Sequence, residues 1–171
     1  LFPYTTLFRS ILLAGVNELD QHIGSPEDMN EYYLKTIHHE FTHILNQTKE
    51  YSASFKQITG TGYVADSWSK APYDTDNLSR GYISPYSQYD DKEDFAEMLS
   101  MYICHSPRQW DEWMEQVGPT GVQLLTAKLN VVRQYMQKSW KIDIDQLRDA
   151  LQRRQADLTA GRVALGEELY E

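Results

Sequence analysis

Apolar residues recur with a helical period over most of this chain and lose that period over one long middle stretch. In "KTIHHEFTHILNQ" (35–47), Ile37, Phe41, Ile44 and Leu45 follow the three-and-four spacing of one helical face. The pattern predicts a helix that fades near Thr48. Its start is open between Ser25, which would cap a helix with Pro26 at the first position, and Asn30. Upstream, "SILLAGVN" (10–17) is a short apolar run closed by a turn-former, which predicts a strand. Helical patterning returns at "DKEDFAEMLSMYICHS" (91–106), where Phe95, Met98, Leu99, Tyr102 and Ile103 are apolar. "SPRQWDEWMEQV" (106–117) opens on a Ser-Pro start signal and stops at Gly118. Two more amphipathic helices are expected at 121–140 and 143–158, the second capped by Asp143, with a frayed tail over 159–171. Residues 49–90 are rich in Gly, Ser, Thr, Asp, Asn and Tyr and keep no period. A connection of that length is uncommon unless it is functional, so an ordered wrap around an active site is expected there, with at most short strands or helical turns.

Composition narrows this picture only slightly. The chain has 171 residues, 41% hydrophobic and 12% aromatic, which suits one globular domain with a real core. Its formal net charge of −9 argues against binding to nucleic-acid backbones or to anionic membrane surfaces. Cys104 is the single cysteine, so no internal disulfide can form and a Cys-rich zinc module is excluded. The opening "LFPYTTLFRS" has no initiator methionine, charged leader or cleavage site. It resembles translated sequencing-adapter read-through, and residues 1–10 are expected to be non-native or the start of a fragment.

The chemistry lies in "HEFTH" (39–43). Residues four apart on a helix are rotated about 40° and rise about 6 Å, so the imidazoles of His39 and His43 can reach one metal ion from adjacent turns. Zinc accepts neutral imidazole nitrogen and in catalytic sites keeps one position for water. Glu40 lies about 100° around the helix from His39, where it can take a proton from that water. The pattern is H-E-x-x-H. His38 points about 100° away from His39 and is read as a neighbour of the site or an exposed residue.

Two histidines do not close a catalytic zinc site. The longer signature that finds a third histidine nearby is closed here, because Asn46 and Lys49 stand at its glycine and histidine places. A carboxylate from a second helix is the other solution, and "KEDFAEML" supplies two. Glu93 and Glu97 are four apart on one face, so that one can bind metal while the other accepts the N–H of a ligand histidine. Taken alone, this segment also reads as a solvated acidic face.

"HEFTH" followed by "EDFAE" resembles the glutamate zincins. More closely, "ILLAGVN…HHEFTHILNQ…FKQITGTGYVADSW…GYISPYS…EDFAEMLSMYI" resembles a family of zinc-binding metallopeptidase lipoproteins encoded beside the glycan-import systems of Gram-negative gut bacteria. The resemblance implies zinc held by His39, His43 and Glu93, with Glu97 behind a ligand histidine and Glu40 as general base. It also implies that Tyr86, seven residues before Glu93, faces the metal and donates to the oxyanion; Tyr82 and Tyr89 are its nearby competitors. Strand 10–17 is either the rim of a substrate cleft or a plain core strand. Trp68, Trp110, Trp113 and Trp140 are read as packing residues.

The expected protein is mainly α: a zincin-like catalytic domain over 11–158 with an active-site helix, a second ligand helix, C-terminal helices and a short N-terminal strand. It is expected to be a zinc metallopeptidase acting on a peptide or protein, with no nucleic-acid partner and no membrane contact by this chain. A lipid anchor on an extracytoplasmic membrane face is implied for the full-length protein. The alternatives are an inactive or non-peptide-directed zinc-binding surface module, and a metal-free helical interaction domain.

Overall fold

The computed structural model describes residues 25–29, 33–65 and 76–162. The expected strand at 10–17, residues 163–171 of the tail, and Trp68 lie outside the described residues. Those that are described are mainly helical, and no strand occurs among them. Helix α1 is Pro26–Met29, α2 is Lys35–Thr48, α3 is Ser54–Thr59 and α4 is Asp76–Ser79. A 3₁₀ turn, Tyr86–Gln88, precedes α5, Asp91–Cys104. Then come α6, Pro107–Gln116, α7, Pro119–Tyr135, a π turn, Met136–Trp140, and α8, Ile144–Thr159. No helix among the described residues is long and apolar enough to cross a membrane.

Local chemistry accounts for the boundaries. Ser25 Oγ accepts from the Asp28 amide at 3.1 Å, so the Ser-Pro start is used, but only for the single turn of α1. Asp90 caps α5 by accepting from the amides of Lys92 and Glu93, and Asp91, Glu93 and Asp94 place negative charge where the helix dipole favours it. Ser106 and Gln109 form a reciprocal capping box at the start of α6. Asp143 caps α8 through the amides of Asp145 and Gln146.

Helix α5 is the axis of the fold. Ten of its residues are buried, among them Phe95, Ala96, Met98, Leu99 and Ile103, as expected of a helix that is apolar nearly all round. It packs most extensively on α2, and also on the 3₁₀ turn, α7 and α8. Tyr51 stacks on Phe95 with ring centroids 4.2 Å apart, and Phe55 and Tyr135 close round the same ring. At its C-terminal end, Arg148 donates to the His105 carbonyl and Gln152 to the Cys104 carbonyl, so α8 satisfies carbonyls the helix leaves open. Trp110 is buried beside Tyr102, and Trp140 lies under the Lys49 ammonium, both in packing roles.

One expectation from the periodicity is corrected. The period places Phe41 on the apolar face of α2, yet it is 47% exposed while Leu45 is buried. The reason is competition for the inner face: His39, Glu40 and Thr42 occupy the buried side of α2 instead. Between residues 49 and 90, short helical turns form as expected, with 66–75 outside the described residues. Gly121 shows how closely this region meets α7: a Cβ there would lie 2.6 Å from the Leu78 carbonyl oxygen and 2.9 Å from the Ser79 Cα.

Candidate metal centre

The pairing of α2 with α5 brings the two halves of the pattern together. Glu93 Oε2 lies 2.9 Å from His39 Nε2 and 3.2 Å from His43 Nε2, and the two nitrogens are 3.1 Å apart. Three atoms from three side chains thus form a small, nearly equilateral triangle. The residues belong to consecutive turns of α2 and to the first turn of α5, so the triangle exists only because the helices pack side by side. His39 is buried, while His43 and Glu93 are partly open.

The donor set suits a zinc ion. Zinc takes imidazole nitrogen and carboxylate oxygen at about 2.0–2.2 Å, and tetrahedral angles then separate donors by about 3.3 Å. The observed edges fall just short of that spacing, so small outward movements of the side chains would seat an ion on the triangle. A set of two imidazoles and one carboxylate leaves a fourth direction for water or substrate.

Glu97, one turn on from Glu93, meets the other side of the His39 ring. Its Oε1 is 2.8 Å from His39 Nδ1, an approach too bent for a well-formed hydrogen bond but close enough to favour a proton on that nitrogen. With the proton there, Nε2 keeps its lone pair for the triangle. Ser84 and the Lys35 charge lie near it and favour its ionised form.

The electrostatics follow from this crowding. Burial would raise Glu93, but hydrogen bonds from His39 and His43 outweigh it and hold the carboxyl down at about 2. Burial likewise opposes ionisation of Glu97, and the Lys35 and His39 charges hold it at about 2. For His39 burial works downward, yet contacts with both glutamates push the imidazole up to about 9. The two carboxylates therefore favour positive charge at the place a cation would take.

Glu40 is buried on α2 beside His39. Tyr86, on the 3₁₀ turn, has its ring centroid 5.9 Å from that of His39. Burial raises the Tyr86 hydroxyl well above its usual range, and the charges of Glu93, Glu97 and Glu40 add to the shift. The three carboxylates and this phenol therefore share one neighbourhood. The competing tyrosines differ: Tyr82 is fully buried against Lys128, and Tyr89 stacks on Tyr86 and is 40% exposed. His38 is half-buried, with burial pushing its imidazole down, and is not part of the triangle. Lys49, at a place where the longer signature has a histidine, donates to the Ser139 carbonyl instead.

Sequence reasoning missed Ser84, which pairs with Ser87 across the 3₁₀ turn and lies close enough to Glu97 to help lower its carboxyl. It also missed Lys128 and Asp94, treated below. The available signal for Lys128 was a lysine inside the apolar stripe of Leu125, Leu129 and Val132.

Fold and site together define a class: a mainly helical protein with a partly buried His/His/Glu cluster whose donors and spacing suit a metal ion. The comparisons narrow it. The model of a family described as "Putative zinc-binding metallo-peptidase" matches residues 7–145, and the chain belongs to that family. It is similar to the crystal structure of a "putative zinc-binding metallo-peptidase" from Bacteroides caccae ATCC 43185, with a TM-score of 0.81 and 31% sequence identity. That likeness covers 92% of this chain and 60% of the other, so this chain spans about 60% of that protein's length. No curated protein matches.

Proposed function

We propose that this chain is the catalytic part of a zinc-dependent peptidase of the glutamate-zincin type. The observation that carries the reading is the triangle of His39 Nε2, His43 Nε2 and Glu93 Oε2, with edges of 2.9 to 3.2 Å. These three residues would hold the ion. When bound, it supplies a Lewis acid that acidifies water and polarises a carbonyl oxygen.

The remaining steps belong to the protein's own groups. Glu40, next to a ligand on the buried side of α2, takes the proton of the attacking water and returns it to the leaving amine. Glu97 keeps the proton of His39 on Nδ1 and the ring in one orientation. Tyr86 stays protonated at any physiological pH, because burial and the surrounding carboxylates raise it, and so serves as a donor to the oxyanion. Tyr86→Phe is expected to lower turnover about 10²-fold, with little change in zinc content. Normal turnover in that variant would leave Tyr86 as a packing residue.

The reading is tested on protein purified without chelator. About one zinc per chain and cleavage of a peptide library followed by mass spectrometry are expected. Zinc without peptide cleavage, but with release of fragments from peptidoglycan, would move the substrate to cell-wall amides. No bound metal would end the enzyme reading. The lipid-anchored, extracytoplasmic setting beside a glycan-import system rests on the family resemblance alone and is part of the proposal.

A further inference from the structure

Behind the ligand face of α5 lies a second polar cluster, sealed from solvent. Lys128, on α7, and Asp94, on α5, both have side chains with no exposed surface, and Lys128 Nζ meets Asp94 Oδ2 at 2.5 Å. The same ammonium donates to the Gly81 carbonyl at 2.6 Å and lies 4.2 Å from the centroid of the Tyr82 ring. Tyr63 donates its hydroxyl to the same Asp94 oxygen at 2.7 Å. Four segments of the chain therefore converge on one ion pair: α7, α5, the stretch before the 3₁₀ turn, and the stretch around Tyr63.

The position of this cluster relates it to the metal centre. Asp94 follows Glu93 directly, so its side chain leaves α5 about 100° away from that of Glu93. The first two turns of α5 are thus gripped on two sides, by imidazoles through Glu93 and Glu97, and by the ammonium through Asp94. Gly81 begins the loop that carries Ser84 and Tyr86. That loop is docked on α7 at two places, through the Lys128 bond and through the Gly81 Cα, where a Cβ would come 2.6 Å from the Leu124 side chain. A buried ion pair is weak as a source of stability, since apolar residues of similar volume often do as well. Its directional bonds join α5, through Asp94, to the Gly81 end of the Tyr86 loop.

We propose that Lys128 and Asp94 are a positioning pair for the metal centre, setting the azimuth of the helix that bears Glu93 and Glu97 and the reach of the loop that bears Tyr86. This rests on the metal-centre reading above. The test compares wild type with Asp94→Leu/Lys128→Met, which removes both charges and fills the space with apolar groups. Zinc affinity is measured by competition with a chromophoric chelator, coordination geometry by the visible spectrum of the cobalt-substituted protein, and folding by thermal melting. The expected result is a cooperatively folding variant that binds zinc about tenfold or more weaker and gives an altered cobalt spectrum. A folded variant with wild-type affinity and an unchanged spectrum would overturn the positioning role while leaving the centre intact. Absence of zinc binding by the wild type would instead overturn the metal-centre reading itself. If the double variant does not fold, Asp94→Asn decides by the same two readouts, because it keeps the shape and an acceptor oxygen while removing the charge.

Discussion

Glu40→Gln is expected to keep its zinc and lose peptide hydrolysis by between about 10² and 10⁴-fold. The first half follows from geometry: Glu40 contributes no atom to the triangle of His39, His43 and Glu93, so an amide in its place leaves the three donors untouched. The second half follows from chemistry. An amide fills the same space and still offers a carbonyl oxygen, but it cannot take up a proton at neutral pH. The carboxylate belongs to the reacting neighbourhood, since its charge, with those of Glu93 and Glu97, raises the Tyr86 hydroxyl. Metal content by mass spectrometry and turnover on a cleaved peptide, taken from one preparation, make the measurement. Near-full turnover in the variant would remove Glu40 as the base. An inactive binding module predicts something different: wild type and variant alike would carry zinc and cleave nothing.

How far the sequence alone could reach depended on whether a feature was periodic or local. The helices at 35–48 and 91–104 were legible from their apolar period, although the first starts at Lys35 without a side-chain cap and not at Ser25. Those at 107–116 and 144–159 were legible at their starts because a start signal acts within one turn. Ser106 with Pro107 and Gln109 is such a signal, and so is Asp143 ahead of α8. The candidate residues could be paired for a related reason: four-residue spacing puts His39 with His43, and Glu93 with Glu97, on common faces whatever the rest of the fold does. What sequence could not give was the meeting of the two faces. That depends on α5 packing against α2, a long-range choice of the whole buried core, in which Leu45 of α2 joins Phe95, Met98 and Leu99 of α5. Periodicity misread Phe41 because it counts apolar residues and does not weigh the polar ones. On α2 the buried face is given over to His39, Glu40 and Thr42, and the apolar Phe41 is displaced outward. Lys128 was hidden for the converse reason. A lysine is read as solvated, and only its position among Leu125, Leu129 and Val132 hints that it is buried with a partner from another segment.

Glu93→Gln is expected to weaken zinc binding on the order of 10²–10³-fold, and Glu97→Gln by a smaller factor of about 10–100. The ordering comes from what each carboxylate touches. Glu93 Oε2 approaches the Nε2 atoms of both histidines, so its loss removes a corner of the triangle and the negative charge that would offset a dication. A structural zinc is worth about 10–16 kcal/mol over four ligands, or roughly 3 kcal/mol for each. Glu97 reaches only the Nδ1 side of His39, and its effect passes through the tautomer and orientation of that ring. The two ranges meet near about 10², so affinity alone does not separate the roles, and the ring nitrogens supply the second measurement. In Glu97→Gln, nitrogen-15 spectra of the zinc-loaded protein should show His39 altered and His43 nearly unchanged. In Glu93→Gln both rings should change, because both face the missing oxygen. The reverse pattern, with Glu97→Gln perturbing both rings and binding zinc the more weakly, would exchange the two glutamates. The same helices would then hold the ion one turn further along α5, and Tyr86, whose place was argued from its offset to Glu93, would lose its partner in the argument.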